Sequence, residues 1–232
     1  MLKLEGKRAG ALTVAIDGPA GAGKSTVAKA VAERLNIMYV DTGAMYRAVA
    51  LKCLRESVDV RDAHEVERAA RTADVRLKQA EGGRLEVYLD GENVTEEIRS
   101  QAVGDAVSLV SAVPAVREVL VAVQRRMAKE GGVVMDGRDI GTVVLPDADV
   151  KVFLTASLEE RARRRHRELA ASGAPATLDA VMASIRERDE RDSSRSLSPL
   201  RRAEDAVLID TTGKPVEQVV AEILALCERR RL

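Results

Sequence analysis

The sequence predicts an α/β fold in which helices cover both faces of a parallel sheet. Short apolar runs of strand length alternate along the chain with longer amphipathic runs of helical spacing, which is typical of parallel sheets flanked by helices. A glycine-rich loop joins the first of these strands to the first helix. One stretch departs from this order of strands and helices, because its apolar and polar residues alternate with the period of two that is typical of a β-hairpin. An inserted lobe is therefore expected as well.

The first strand and helix pairs lie in the N-terminal part of the chain. Residues 13–17 form a short apolar run that a Gly-Pro pair closes, and residues 24–35 carry apolar side chains on one helical face. A second strand over residues 38–41 and a second helix over 43–54 repeat the unit. These segments predict the start of a β–α–β–α series.

The same alternation returns in the C-terminal half. Apolar strands are expected at residues 133–136, 150–154 and 206–210. Amphipathic helices are expected over 113–127 and 216–227, where apolar residues recur three and four positions apart. The C-terminal half therefore continues the same parallel sheet.

A predicted hairpin interrupts the series. Between residues 74 and 90 apolar and polar residues alternate around the turn Glu81-Gly82-Gly83. We interpret this stretch as part of a lobe inserted over about residues 70–110, which leaves a core formed by residues 1–69 and 111–232.

Composition excludes several classes of protein. The 232 residues include 37 basic and 37 acidic side chains, and only 2% are aromatic, which argues against binding to nucleic acid. The longest uncharged run, residues 106–116, is too short to span a bilayer, and the N-terminus lacks the apolar run of a secretory signal. Cys53 and Cys227 predict neither a disulfide framework nor a metal clip. We expect a cytoplasmic protein without membrane contact.

The loop after the first strand has the pattern G-x-x-x-x-G-K-[ST]. It reads GPAGAGKS over residues 18–25, between a predicted strand and a predicted helix. The glycines allow backbone N–H groups to converge on an anion, and the helix directs its positive end at the same point. Lys24 is placed for the β- and γ-phosphates and Ser25 for Mg²⁺. The loop therefore predicts a P-loop NTPase core that binds a nucleoside triphosphate.

Other motifs narrow the class of P-loop protein. The base-reading N-K-x-D of GTPases is absent, and the D-x-x-G at residues 210–213 comes on the last strand, too late for a switch. The strand over 133–136 ends in one carboxylate instead of the acidic pair of large ATPases. A small-molecule kinase fits best, while a non-catalytic nucleotide-binding module and a kinase for a small acid such as shikimate are the alternatives.

Arginine placement favours the kinase. Two helical stretches, 160–167 and 186–195, are rich in arginine, whose planar fork binds phosphate with two donors. The turn between them, residues 171–175, contains Gly and Pro, so both helices are expected to form a lid over about residues 157–195. One face of the second helix presents Arg188, Asp192 and Arg195.

Four motifs in order along the chain resemble the bacterial cytidylate kinase family. They read GPAGAGKST, DTGAMYRA from Asp41, DGRDIGTVVLPDADVKVFL from Asp136, and RERDERDSSR from Arg186. The resemblance covers essentially the whole chain and implies an enzyme that transfers the γ-phosphate of ATP to CMP or dCMP with Mg²⁺. It also implies that the inserted lobe binds the monophosphate and that the protein is a monomer. A kinase for UMP or AMP remains the alternative acceptor specificity.

The resemblance further implies a role for individual residues. The phosphate clamp of the transfer itself comprises Lys24, Arg138, Arg188 and Arg195. The residues expected to bind ATP are Gly18, Pro19, Ala20, Gly21, Ala22, Gly23, Lys24, Ser25, Thr26, Arg161, Arg164 and Arg165, with Ser25 as the metal ligand. The residues expected to bind CMP are Thr42, Arg47, Arg99, Ser108, Arg117, Arg138, Asp139, Arg188 and Asp192. Of these, Ser108, Arg117 and Asp139 match positions that read the cytosine edge.

Overall fold

A computed structural model describes residues 12–80, 85–171, 173–174 and 176–231. The helices and strands follow in this order: β1 (Thr13–Asp17), α1 (Lys24–Leu35), β2 (Met38–Asp41), α2 (Thr42–Arg55), α3 (Ala63–Thr72), β3 (Val75–Gln79), β4 (Leu85–Leu89), β5 (Glu92–Asn93), α4 (Gln101–Val110), α5 (Pro114–Lys129), β6 (Val133–Gly137), β7 (Val150–Thr155), α6 (Leu158–Ala171), α7 (Leu178–Ser194), β8 (Val207–Asp210) and α8 (Val216–Arg231). A 3₁₀ turn, Glu97–Arg99, and a π-helical segment, Ile140–Val144, complete the regular structure.

A five-stranded sheet forms the centre of the fold, with strand order β2-β6-β1-β7-β8. β1 pairs in parallel with β6 and with β7, and β7 pairs in parallel with β8. The core of this sheet lies at β1 and β6: Val14, Ala15 and Ile16 of β1 are fully enclosed, and every residue of β6 is buried. The predicted parallel sheet flanked by helices is confirmed, and β1, α1 and β2 have the predicted bounds.

The parallel register brings several chain segments to one edge of this sheet. Asp17, the last residue of β1, pairs with Gly137 on one side and with Phe153 on the other. The loop that follows β1 and the residues that follow β6 therefore leave the sheet at the same, carboxyl edge. Ligands of open α/β sheets bind at this edge.

The interruption predicted from the alternating pattern is a three-stranded antiparallel sheet of order β3-β4-β5. Val75 pairs with Leu89 and Leu77 with Val87, so the apolar residues lie on one face as their alternation requires. The antiparallel hairpin is thus confirmed, while the predicted turn residues 81–83 lie outside the described residues.

The described residues divide into two compact units. Residues 39–131 form the first unit, and residues 12–38 together with 132–231 form the second. The lobe expected over residues 70–110 lies within the first unit, which also takes in α2 and α5. Within the second unit, α6 and α7 pack against each other through an apolar cluster of Ala162, Val181 and Ile185.

Cys53 and Cys227 are both buried thiols. Among the described residues no single helix is both long enough and apolar enough to cross a membrane. Only α4 and α5 taken together pass such a test, by length and composition alone and across a bend of 100°.

Candidate active site

The phosphate loop is held tightly against the sheet. A Cβ at Gly18 would lie 2.0 Å from the carbonyl oxygen of Leu154 in β7, so only glycine fits at this position. Gly23 has a φ of 84° at the N-cap of α1, in the left-handed region that favours glycine. The side chains of Ser25 and Thr26 are exposed in the first turn of α1. The backbone path of the loop therefore favours glycine at residues 18 and 23 of the motif.

Lys24 lies buried at the start of α1. Its Nζ donates a hydrogen bond of 2.7 Å to the carbonyl oxygen of Pro19, within the same loop. Burial, together with the positive charges of Arg138 and Arg188, lowers the pKa of Lys24 to about 7 against the opposing effect of Asp136. The site therefore concentrates positive charge where an anion is expected.

Asp136 is a site residue that the sequence analysis did not assign. The hydroxyl of Ser25 donates a hydrogen bond of 2.9 Å to Oδ2 of Asp136, near the end of β6. The register of the parallel sheet pairs Asp136 with Ile16 in β1, which brings the carboxylate beside the phosphate loop. A hydroxyl and a carboxylate in contact form a donor set that suits Mg²⁺. The sequence feature that could have indicated Asp136 is its position as a single acid at the end of an apolar strand.

Asp17 is a second acid that the sequence analysis did not assign. Its two carboxylate oxygens each accept a hydrogen bond of 2.7 Å, one from the backbone N–H of Ile140 and one from that of Gly141. Burial raises the pKa of Asp17 to about 6, although both N–H donors act in the opposite direction. This carboxylate therefore joins the end of β1 to the segment that follows β6.

Asp192 in α7 is surrounded by arginines. Its Oδ2 accepts a hydrogen bond of 2.8 Å from Nε of Arg138, and its Oδ1 accepts one from Arg195. Burial alone would raise the pKa of Asp192, but the charges of Arg138, Arg195 and Arg188 hold it below the usual value. The structure thus brings together all three arginines that were predicted to form a phosphate clamp.

The arginines of α6 fall into two groups. Arg161 donates to the carbonyl oxygens of Ala156, at 3.0 Å, and of Ala20 in the phosphate loop, at 3.1 Å, and it forms an ion pair with Asp189. Arg165 instead forms an exposed ion pair with Glu168. Arg161 therefore supports the loop, whereas the described contacts of Arg165 lie on the surface of α6.

Arg164 contacts the loop through Thr211, which follows β8 and was not assigned from the sequence. Arg164 donates to Oγ1 and to the carbonyl oxygen of Thr211, at 3.0 and 2.7 Å. The hydroxyl of Thr211 lies 3.2 Å from the carbonyl oxygen of Ala22, to which it donates. Arg164 and Thr211 together brace the second half of the phosphate loop.

Five of the residues predicted to bind CMP belong to the first unit. The guanidinium of Arg117 lies 5.3 Å from the ring centroid of Tyr46, a cation–π contact that joins α5 to α2. Tyr46 was not assigned from the sequence, although it stands within the DTGAMYRA motif. The five residues differ in exposure: Thr42, Ser108 and Arg117 are buried, Arg47 is half-buried and Arg99 is exposed. Arg138, Asp139, Arg188 and Asp192 belong to the second unit.

Comparison with known proteins assigns this site to a family. A family model described as cytidylate kinase matches residues 14–229. The chain belongs to the cytidylate kinase family. The cytidylate kinase of Pelotomaculum thermopropionicum is 59% identical over 91% of this chain and 94% of its own length. That of Symbiobacterium thermophilum is 56% identical over 94% and 96%. The resemblance stated from the four motifs is confirmed.

Comparison with solved structures supports the fold of this cytidylate kinase family member. An uncharacterized protein from Eubacterium ventriosum superposes with a TM-score of 0.51 at 13% identity, covering 94% of this chain and 98% of that one. At such low identity the likeness bears on the fold alone. It agrees with a central parallel sheet covered by helices.

Proposed function

We propose that the phosphate loop and the arginines around it hold ATP and CMP in this cytidylate kinase for direct transfer of a phosphoryl group. The enzyme transfers the γ-phosphate of ATP to CMP or dCMP and releases ADP with CDP or dCDP. The observation that carries the residue-level proposal is the cluster of Lys24, Arg138 and Arg188, whose charges act on one another at the carboxyl edge of the sheet. Such a concentration of positive charge matches the oxygens of two phosphorylated substrates.

The donor nucleotide is assigned to the phosphate loop. Backbone N–H groups of the non-proline residues among 18–26 and the positive end of α1 bind the phosphates, and Lys24 neutralises the β- and γ-phosphates. Arg161 and Arg164 hold the loop through the carbonyl oxygen of Ala20 and through Thr211. We assign these two arginines, together with Arg165, to the helices that close over ATP.

Ser25 and Asp136 are assigned as the residues that hold Mg²⁺. Their direct contact of 2.9 Å brings a hydroxyl and a carboxylate oxygen together beside the loop. A bound Mg²⁺ would withdraw negative charge from the donor phosphates. Ser25 and Asp136 orient the donor phosphates, while the arginines neutralise the remaining charge.

The acceptor is assigned to the residues that the family resemblance implies. The monophosphate is bound by Thr42, Arg47 and Arg138, and the cytosine edge by Ser108, Arg117 and Asp139. An acid beside donors complements cytosine, because its exocyclic amine donates and its ring nitrogen and carbonyl accept. Arg99, Arg188 and Asp192 complete the acceptor site. The attacking phosphate oxygen is already an anion at neutral pH, so catalysis needs alignment and charge neutralisation instead of a strong base.

A coupled assay of ADP release tests acceptor specificity. With ATP and Mg²⁺, turnover is expected with CMP and dCMP, and at least about a hundredfold less with UMP, AMP, GMP or shikimate, because an unmatched base leaves the buried donors and acceptors unpaired. Fastest turnover with AMP or UMP would contradict the cytosine assignments. Binding of ATP without turnover of any acceptor would favour a nucleotide-binding module instead.

Replacing Asp136 by asparagine tests the metal assignment. The variant is expected to need about tenfold more Mg²⁺ for half-maximal turnover and to lose about a hundredfold in kcat, because an amide is a weaker cation ligand than a carboxylate. Mg²⁺ titrations at saturating ATP and CMP measure both effects. Asp147→Asn, at an exposed position, serves as the matched control. An unchanged Mg²⁺ requirement in Asp136→Asn would remove Asp136 from the metal site.

The low pKa of Lys24 predicts that nucleotide binding takes up a proton. With a pKa of about 7, Lys24 is mostly neutral at pH 8 in the free enzyme. A bound triphosphate raises this pKa, so MgATP binding at pH 8 is expected to take up about 0.5 to 1 proton, and much less at pH 6 where Lys24 is already charged. Calorimetry in buffers of different ionisation enthalpy measures this number. In Lys24→Arg the uptake at pH 8 should disappear, and equal uptake in both proteins would exclude Lys24 as its source.

A further inference from the structure

Asp17 lies between the phosphate loop and the segment that follows β6. It is the last residue of β1, so Gly18 and the phosphate loop follow directly. Its two carboxylate oxygens bind the N–H groups of Ile140 and Gly141, at 2.7 Å each. These two residues follow Arg138 and Asp139 and begin the π-helical segment Ile140–Val144. One side chain therefore contacts the segment that carries acceptor-site residues, while its own backbone begins the donor loop.

The fit between Asp17 and this segment is close. Asp17 is only 4% exposed, and an added Cβ at Gly141 would lie 3.4 Å from Oδ2 of Asp17 and 3.2 Å from the side chain of Lys151. The carboxylate thus accepts two N–H groups side by side, an arrangement that a single amide oxygen cannot reproduce. Both oxygens have their partners in protein backbone, so Asp17 has no need of a substrate to satisfy them.

Burial of an acid at this position is costly. Burial raises the pKa of Asp17 to about 6, and the neighbouring Asp139 adds to this effect, while Ile140, Gly141 and Lys24 oppose it. A buried acid next to another acid is poorly suited to stability alone, because apolar or neutral side chains fill space at a lower desolvation cost. The two hydrogen bonds from Ile140 and Gly141 to Asp17 offset part of this desolvation cost.

We propose that Asp17 is a positioning residue for phosphoryl transfer, which sets the distance between the donor loop and the acceptor-binding Arg138 and Asp139. This inference rests on the proposed function of those residues. In-line transfer requires the attacking oxygen and the phosphorus to lie within a few tenths of an ångström of a productive distance. Arg138 is already tied to α7 through Asp192. Asp17 supplies the second restraint, at the other end of the same short segment.

Asp17→Asn tests this role. The amide retains one acceptor oxygen and turns an NH₂ group toward the second backbone N–H. The KM for CMP is expected to rise about tenfold and kcat to fall about tenfold, since misplacement by an ångström costs that much or more. The dissociation constant of ATP, measured by calorimetry, is expected to change by less than about threefold, because the loop N–H groups and Lys24 remain. Asp147→Asn is the matched control, with no change expected in any of the three constants.

Different outcomes separate the failure of this inference from that of the proposed function. Wild-type enzyme without CMP turnover would overturn the proposed function. Wild-type turnover together with unchanged CMP kinetics in a folded Asp17→Asn would overturn the positioning role and leave a structural one. Hydrogen exchange of wild-type enzyme needs no variant and tests the two hydrogen bonds on which the proposal depends if Asp17→Asn fails to fold. The amides of Ile140 and Gly141 are expected to be protected at least about a hundredfold without ligand, and unprotected amides would contradict the proposal.

Discussion

Replacing Lys24 by methionine is expected to lower kcat about a thousandfold, which is the upper range for the loss of one preorganised donor at a developing charge. Methionine keeps the length and apolar stem of lysine but removes the charge and the hydrogen bond to Pro19. Because Lys24 is buried within the loop, no other side chain of α1 can substitute for its ammonium group. The ADP-release assay with CMP measures the loss.

The control for this variant is Lys29→Met, at an exposed position one turn further along α1. Turnover within about twofold of wild type is expected for Lys29→Met, because exposed charges far from the phosphates interact with them weakly. Calorimetric ATP binding and thermal unfolding of both variants show whether α1 remains folded. If Lys24→Met kept more than a tenth of wild-type kcat, the donor site would have to be assigned elsewhere.

Replacing Arg188 by methionine is expected to lower kcat about a thousandfold while ATP still binds within about threefold of wild-type affinity, because charge neutralisation by arginine acts mainly in the transition state. Arg188 acts on both Lys24 and Asp192 through its charge, so it lies near the phosphate loop and near the acceptor-site acid. Asp192 keeps Arg138 and Arg195 as partners in the variant, which preserves the packing of α7.

Arg191→Met provides the matched control, since Arg191 lies on the exposed side of the same helix and donates only within it, to the carbonyl oxygen of Glu187 among its described hydrogen bonds. Its kinetics should equal those of wild type. Steady-state assays and calorimetry on both variants separate binding from turnover. A loss of ATP affinity with unchanged kcat in Arg188→Met would show that Arg188 contributes uniform binding of ATP and has no specific role in the transfer step.

The elements nearest the phosphate loop could be predicted from the sequence to the residue. β1, α1 and β2 are short, strongly patterned and bounded by glycine or by a change of period, so local chemistry decides where they begin and end. The hairpin of β3 and β4 was equally predictable, because alternation with a period of two has no helical interpretation. The short β5 carries no such pattern, and it forms because β4 offers it an edge.

The residues of the site were less predictable than the elements that carry them. Asp17, Asp136 and Thr211 each stand at or next to the end of a parallel strand, and no motif in the sequence assigned a role to any of the three. Their contacts depend on which strands are neighbours, since the Ser25–Asp136 contact requires β6 to pair with β1. Strand order is a long-range property that a local pattern does not contain.

The sequence by itself determined the class of chemistry. The phosphate loop, the arginine-rich helices and the four family motifs are continuous stretches of sequence. Their glycines are required by the local backbone conformation. Only the tertiary structure decided which acids contact these stretches: Asp136 binds Ser25, Asp17 binds the segment after Asp139, and Asp192 binds the arginines. A buried carboxylate is tolerated only where donors from distant parts of the chain converge on it, and that convergence exists only once the sheet has formed.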